Sequence, residues 1–318
     1  MNRLSLTDRR LFLVVLIVLL GVVMSFLSPY FLRAENLLSM TQYGAVLGLL
    51  ALGQAFVILG GGGGIDLSIG STMSLSTVAF GLTAVNLGLD PWLAAVVAIA
   101  AGAVLGAANA FLINVLRLPP LIATLGTLYL YSSLALVLSG GVDINGFDRS
   151  GFAYLGQSKV AGIPFQVLFV LVPVFILAAL YMVRTRQGRQ IYEVGNGSIT
   201  AALAGVHVRR VRTSLYVYSG MLAGLAAVVN ASWLLNAKPT AGAGMELQAI
   251  TIAVLGGVVI TGGVGTVLGT FLGLTVVIVL NSGLQLAGVG NTWQIGLLGA
   301  VLVGSVVLNN IVGRRRTR

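Results

Sequence analysis

Apolar runs of about twenty residues follow one another along nearly the whole chain, and nothing else in the sequence limits its fold as severely. In hydrocarbon the backbone N–H and C=O groups find no water, so such runs are satisfied as helices that bond within themselves. They fall at Leu11 to about Leu27, then at 43–60, 67–87, 91–115, 121–140, 164–183, 213–235, 247–261, 266–286 and 292–311. The expected fold is therefore an all-α polytopic membrane protein with about ten transmembrane helices. Composition agrees: 57% of the 318 residues are hydrophobic and 8% charged, where soluble domains carry about 25% charged residues. Pro29, Pro91, Pro119, Pro120 and Pro164 stand at proposed span ends, where helices tolerate them. No small-residue cleavage site follows the first run, which reads as an uncleaved span. The 247–261 run is short enough to be a broken or re-entrant element rather than a full crossing.

Charge sets the orientation. With both termini cytoplasmic, the inner segments hold Arg3, Arg9, Arg10, Arg117, the six arginines between Arg184 and Arg212, and Arg314, Arg315, Arg316 and Arg318. The outer segments hold only Arg33, Arg149, Lys159 and Lys238. That asymmetry is the positive-inside pattern. It assigns the net charge of +10 to topology and to contact with membrane lipid, not to nucleic acid.

Several chemistries are poorly supplied. The chain has no Cys and one His, so a thiol nucleophile or thiolate metal site is excluded and a membrane enzyme is unsupported. No catalytic or metal site is expected. Of eight acidic residues only Asp66 and Glu246 approach apolar spans, too few for the carboxylate relays of ion-coupled secondary transport. No G-x-x-x-x-G-K-[ST] motif occurs, and the two lysines, Lys159 and Lys238, follow Ser158 and Ala237. If nucleotide powers this chain, another subunit binds it, and no cofactor is expected here.

Two glycine clusters interrupt apolar runs. In GGGGIDLSIGS, Gly61–Ser71, the polyglycine cannot hold a helix. Asp66 or Ser68 then reads first as the cap of the next helix. The alternative places Asp66 and freed backbone amides beside a translocation path, as in broken transporter helices. The second cluster, Leu255–Gly273, loosely echoes Val57–Gly63. Glu246 reads first as an acid complementing a helix dipole. Trp92, Trp233 and Trp293 read as interfacial anchors, with stacking on a sugar face the alternative for Trp233.

Between the hydrophobic halves lies one polar island, Arg184–Arg212 (RTRQGRQIYEVGNGSITAALAGVHVRRVR). Gly195–Ser198 reads as a turn. Ser198 or Thr200 is placed to cap a short helix, Ala201 to about Val206, ended by Gly205. Its centre (Ile199, Ala201, Ala202, Leu203, Ala204, Val206) is apolar within arginines, the character of a partner-docking surface rather than a solvated loop.

Taken together, GGGIDLSIGS (62–71), PPLIATLGTLYL (119–130), TRQGRQIYEVGNGSITAALAGV and GAGMELQAITIAVLGG…GGVGTVLGT resemble the membrane permeases of bacterial monosaccharide ABC importers, the ribose, xylose, rhamnose and autoinducer-2 type, from about Phe31 to Leu308. The resemblance implies a single transmembrane permease domain over 1–318, in the bacterial inner membrane, with a cytoplasmic coupling loop at 184–212. It implies three partners: cytoplasmic ABC ATPase subunits that bind ATP, a second permease copy or paralogue, and a periplasmic sugar-binding protein. Carried across, the ATPase-coupling positions are Gly188, Arg189, Gly195, Asn196, Ala201, Ala202 and Gly205. The candidate translocation-path or helix-break positions are Gly63, Gly64, Asp66, Ser68, Asn109 and Glu246. Departures occur at Ala110 after Asn109, at Gln248 after Glu246–Leu247, and at Tyr131-Ser132-Ser133; these bear on which sugar is carried. A branched-chain amino acid ABC permease is the nearest alternative function, with an ion-coupled transporter behind it.

Overall fold

The structure, a computed structural model, describes residues 6–290 together with 293–294, 296–297, 299–301 and 303–304, with side chains from residue 10 onward. The expected 292–311 span is only partly within these residues, and Arg3, the Arg9 side chain and Arg314–Arg318 lie outside them. The chain is overwhelmingly helical. Its order is α1 (Leu6–Leu27), α2 (Ala34–Leu59), α3 (Ile69–Gly81), α4 (Pro91–Asn114), α5 (Pro120–Ser139) and α6 (Ala153–Gln157), then α7 (Val172–Arg184), α8 (Arg186–Asn196), α9 (Ser198–Leu203), α10 (Val208–Leu234), α11 (Met245–Leu255) and α12 (Val267–Leu286). A two-residue hairpin, β1 (Lys159–Val160) with β2 (Ile163–Pro164), lies between α6 and α7.

Among the described residues, seven segments are long and apolar enough to cross a membrane: Arg10–Leu27, Ala34–Leu59, Pro91–Asn114, Pro120–Ser139, Val167–Arg184, Val208–Leu234 and Val267–Leu286. Each coincides with an expected span. Two expected spans do not reach that length. The 67–87 run becomes α3, prolonged by a π-helical turn over Leu82–Asn86. The 247–261 run becomes α11, whose 11 residues rise about 16 Å, half of a hydrocarbon core of about 30 Å. Gly256 and Gly257 end it, Gly256 N–H bonding Ile252 O (2.8 Å) and Gly257 N–H bonding Val254 O (3.0 Å).

Helix α2 is the centre of the molecule. Apolar all round, it is buried from Gly44 to Leu59 by α3, α10, α11 and α12, the pattern of a helix with no lipid face. Helix α1 is its opposite, exposing most of its side chains and leaning on α12 through Met24 and Val279. The extensive α4–α10 contact is a paired small-residue seam. Gly102 and Gly106 on α4 meet Gly220 and Gly224 on α10, where a β-carbon at Gly102 would stand 3.0 Å from Gly224 N.

The two ends of the bundle differ. The island, α8–α9, closes one end together with the C-termini of α2, α4 and α11. The opposite end is covered by the 140–166 loop, whose Phe147 and Phe152 rings pack on Phe80 at 4.9 Å. From that far end, after α10, the chain runs back inward along α3. Ala237 bridges Ile144 (N–H to O, 2.9 Å) beside Gly81, and Gly242 N–H reaches Ser74 Oγ (3.0 Å) beside Gly70. Gly70 and Gly81 are about 16 Å apart along α3. Segment 237–242, which turns where Ala241 N–H bonds Lys238 O (3.1 Å), thus follows α3 inward, and α11 begins about midway through the bundle.

Candidate functional site

The break between α2 and α3 is built from glycine and closed by a polar knot. Gly61, Gly62 and Gly63 all have positive φ (67°, 66° and 72°), a conformation that costs any other residue about 1–2 kcal/mol. Asp66, only 2% exposed, then turns the chain. Its Oδ1 accepts from Ser68 N–H (3.0 Å) and Ser68 Oγ (2.7 Å), and its Oδ2 accepts from Ser219 Oγ on α10 (3.4 Å). Asn109 on α4 donates to Ser68 Oγ (2.7 Å) and accepts from Tyr131 Oη on α5 (3.5 Å). With its amide oriented to satisfy both groups, Gln54 on α2 donates to Asp66 O (3.0 Å) and accepts from Asp66 N–H (3.2 Å). Thr124 Oγ1 donates to Ile65 O (3.1 Å). One turn therefore ties α2, α3, α4, α5 and α10 together. The capping expected of this segment is corrected: Ser68 holds the N-cap position of α3, yet neither its side chain nor that of Asp66 caps the helix. The Ser68 hydroxyl is committed to Asp66, and Asp66 closes an Asx turn.

Of the expected path or helix-break set, the structure brings Asp66, Ser68 and Asn109 into this knot. Gly64 is buried beside it, packing on Val57 O, while Gly63 is exposed at the island end. Glu246 stands apart, in the first turn of α11, with its carboxylate against Gly70. Arg212 on α10 lays its guanidinium over Gly62, and its buried Nε has no partner among the described residues.

The island is more ordered than its composition suggested. The turn expected at 195–198 shrinks to Gly197, because α8 runs from Arg186 through Asn196. Thr185 Oγ1 caps it by accepting Gly188 N–H (2.9 Å), and it buries Gly188, Ile191 and Val194 along one face. Helix α9 begins at Ser198, three residues earlier than expected, and neither Ser198 nor Thr200 caps it; Gly197 is the N-cap. Gly205 ends it with φ 83°, Gly205 N–H bonding Ala202 O (3.0 Å) and Val206 N–H bonding Ala201 O (3.0 Å).

The coupling positions divide by direction. Gly188 and Ala201 are buried and Gly195 is half-buried; Arg189, Asn196, Ala202 and Gly205 are exposed. Alongside the exposed group, Ile199 (79% exposed) and Leu203 (86%) project outward from α9. Beneath it Gly195 packs directly on backbone from both glycine clusters. A β-carbon at Gly195 would lie 2.7 Å from Gly263 Cα, one at Gly61 2.9 Å from Gly195 Cα, and one at Gly262 2.7 Å from Gly61 N. Gly263 N–H bonds Leu59 O (3.0 Å), and Tyr192 Oη donates to Gly265 O (3.1 Å). Burial raises the Tyr192 phenol above its ordinary value, keeping it a donor. The two glycine clusters thus meet under the island, a relation that their loose sequence echo did not disclose.

At the far end a cavity of about 620 Å³ opens among α2, α10, α11 and α12. Asn36, Ser39 and Tyr43 line it from one face of α2, and Asn281, Ser282 and Gln285 from one face of α12. None of these residues is an intramembrane acid, the feature that marks Asp66 and Glu246 in the sequence. The signal was there: neutral polar side chains at helical spacing inside otherwise apolar runs.

Comparison with known proteins matches residues 36–306 to the family described as branched-chain amino acid transport system / permease component. The chain is 37% identical over 292 residues to the ribose import permease protein of Bacillus subtilis (strain 168), covering 92% of this chain and 89% of that one. It is 35% identical over 302 residues to the ribose import permease protein of Escherichia coli (strain K12), covering 94% and 92%. It is 34% identical over 293 residues to the D-allose transport system permease protein of the same strain, covering 91% and 87%. No solved structure matches the chain.

Proposed function

This chain belongs to the family of branched-chain amino acid transport system permease components, and from that premise we propose that it is the membrane-spanning subunit of an ATP-driven importer of monosaccharides or similar neutral small molecules. The relatives named for ribose and allose support the substrate class. In this reading about ten helices cross the bacterial inner membrane, both termini and the island are cytoplasmic, and two permease copies or paralogues flank a central path. A cytoplasmic ATPase docks on α9, and a periplasmic binding protein delivers the sugar to the far end.

The observation that carries the reading is the seating of the island. Helix α9 presents Ile199 and Leu203 outward, while Gly195, at the end of the adjoining helix α8, rests on the backbone of both helix breaks. A push on α9 therefore reaches the α2–α3 and α11–α12 connections without a compliant side chain between. ATP drives transport only if the ATPase binds one arrangement of these breaks better than the other, so nucleotide shifts a two-state equilibrium of the permease. Sugar is held weakly along the path, and the binding protein supplies most of the selectivity.

The test is purification of the chain in detergent with whatever accompanies it, wild type against Leu203→Asp, followed by reconstitution. The wild type is expected to carry an ATPase subunit that Leu203→Asp loses, and to import radiolabelled ribose or allose with ATP. Import of leucine instead of sugar would transfer the chain to the amino acid branch of its family. Uptake driven by an ion gradient with no ATPase would refute the reading outright.

A further inference from the structure

The far-end cavity is lined by uncharged side chains, most of them neutral amides and hydroxyls. Its lining from α2 is Asn36, Ser39, Met40 and Tyr43, and from α12 Ile278, Asn281, Ser282 and Gln285; Trp233, Gln248, Val289 and Gln294 complete it, with no charged residue among them. On each of the two long helices these positions repeat at helical spacing, so one face of each looks into the same space. The floor is Gln248, in the first turn of the half-helix α11. Its Oε1 accepts from Tyr43 Oη (3.0 Å) and Asn281 Nδ2 (3.4 Å). Higher up, Ser282 Oγ donates to Asn36 Oδ1 (2.8 Å).

These bonds leave capacity unused. Asn281 Oδ1 is buried and has no partner among the described residues. Gln248 Nε2, two donors, makes no hydrogen bond there either. Unsatisfied amides inside a membrane bundle are costly unless something bonds them. The same space carries the indole of Trp233 at the end of α10. Amides that both donate and accept, beside a partly buried indole, complement a ring whose rim carries hydroxyls and whose faces are C–H. The volume falls within the range of small-molecule sites, about 300–1,000 Å³.

We propose that this cavity is a low-affinity binding site for a neutral polyhydroxyl ring, with Trp233 as stacking platform and Gln248, oriented by Asn281 and Tyr43, bonding ring hydroxyls. The site lies at the far end of each chain: it descends from the end of α10 to the start of α11, midway through the bundle. The absence of charge in its lining discriminates between the branches of the family. An amino acid would bring an ammonium and a carboxylate into a cavity that offers neither a counter-charge, and would leave both poorly paired. The substrate class rests on the importer reading; the site itself does not require an ATPase.

The test uses the full chain with Trp92→Phe and Trp293→Phe, so that Trp233 is the only indole, titrated in detergent with D-ribose, D-allose and L-leucine. Either sugar is expected to change Trp233 emission saturably, and leucine to leave it unchanged. Gln248→Ala in this background should weaken the response about tenfold, the equivalent of one neutral hydrogen bond in a desolvated site. Should that variant fail to elute as a single species, Asn281→Ala carries the same expectation. A chain retaining only Trp92 must show no change at the same sugar concentrations. A Trp233 signal indifferent to both sugars, or equal for sugar and leucine, overturns the site. Sugar-dependent emission from a chain that never carries an ATPase would leave the site standing and remove the importer. An ATPase-bound chain with silent Trp233 would do the reverse.

Discussion

The seating of the island can be tested with three glycines that lie within ten residues of one another. At Gly195 an added β-carbon would collide with Leu59 O and Gly263 N and stand 2.7 Å from Gly263 Cα. Carbon atoms pack at about 3.5–4.0 Å, so backbone on two sides must retreat by about 1 Å. That retreat pulls apart the bond from Gly263 N–H to Leu59 O (3.0 Å). Overpacking costs about 1–3 kcal/mol and an orphaned buried backbone group about 1–3 kcal/mol more, so Gly195→Ala should lose roughly 3 kcal/mol or more. At Gly205 there is open space, and only φ 83° opposes a side chain; Gly205→Ala should cost about 1–2 kcal/mol. At Gly197 the backbone is extended (φ 179°) and the nearest atom is Thr200 Oγ1 at 3.5 Å; Gly197→Ala should be neutral or slightly stabilising, by at most about 1 kcal/mol. The assay is survival of the monodisperse peak after heating in detergent. At about 2–4 °C per kcal/mol, Gly195→Ala should melt roughly 6 °C or more below wild type, with Gly205→Ala between and Gly197→Ala unchanged. Equal midpoints for Gly195→Ala and Gly197→Ala would mean that the island does not rest on the glycine junction.

Three further outcomes are expected. Asp66→Asn keeps the Oδ1 acceptor used by Ser68 and should retain transport and most stability, whereas Asp66→Ala orphans Ser68 and should cost about 1–3 kcal/mol; equal damage by both would show that the charge, not the turn, is what matters. At the far end the Asp90 carboxyl is held below its ordinary value of 3.8, first by the Ser150 hydroxyl and then by Trp92 N–H. A lowered folded value means that its stabilisation is complete above the ordinary value and is lost as pH falls through the lowered one. The wild-type melting midpoint should therefore drop more between about pH 5 and about pH 3 than that of Asp90→Asn, and parallel curves would contradict it. Because the chain has no cysteine, Leu203→Cys and Val142→Cys, both at exposed positions, report sidedness directly: an impermeant maleimide should label the first only from the cytoplasm and the second only from outside.

What the sequence disclosed follows from which forces act locally. Long apolar runs bounded by proline or arginine gave seven spans in place, because lipid leaves the backbone no other solution. The 247–261 run reads as a broken or re-entrant element from its length alone, but where the half-helix α11 begins does not. Its start at Met245 depends on Gly242 lying against Gly70, 172 positions away and invisible to any local pattern. The last two residues of α8 read as part of a turn because Gly195 and Asn196 are poor helix formers. They are helical because the Gly61 and Gly263 backbones pack where a side chain would stand. Local pattern gives Asp66 and Ser68 first a local role, capping, whereas their partners sit on α10 and α4.

The same logic explains why glycine carries so much of the design and why so little of it reads as a motif. Where two backbones touch, at Gly102 with Gly220, Gly70 with Gly242, or Gly195 with Gly61 and Gly263, no side chain intervenes to absorb a displacement. Movement of one element is then movement of the next. A seam of this kind between α4 and α10 holds a static bundle together, because both helices are continuous through it. Beneath the island both partners are interrupted, α2 at Gly60 and α11 at Gly256, each with its terminal residue at nearly the same dihedrals (−66°, −7° and −65°, −6°). Rigid contact placed against two breaks converts a push at α9 into rotation about those breaks, whereas the same contact against continuous helices would only stiffen them. The far-end cavity has its floor at the other end of α11, the shortest element running inward from it. A tilt of that half-helix about Gly256 would move Gln248 relative to Tyr43 and Asn281, so the hydrogen bonds at the cavity floor are where a push from the island end would first be felt by a bound ring.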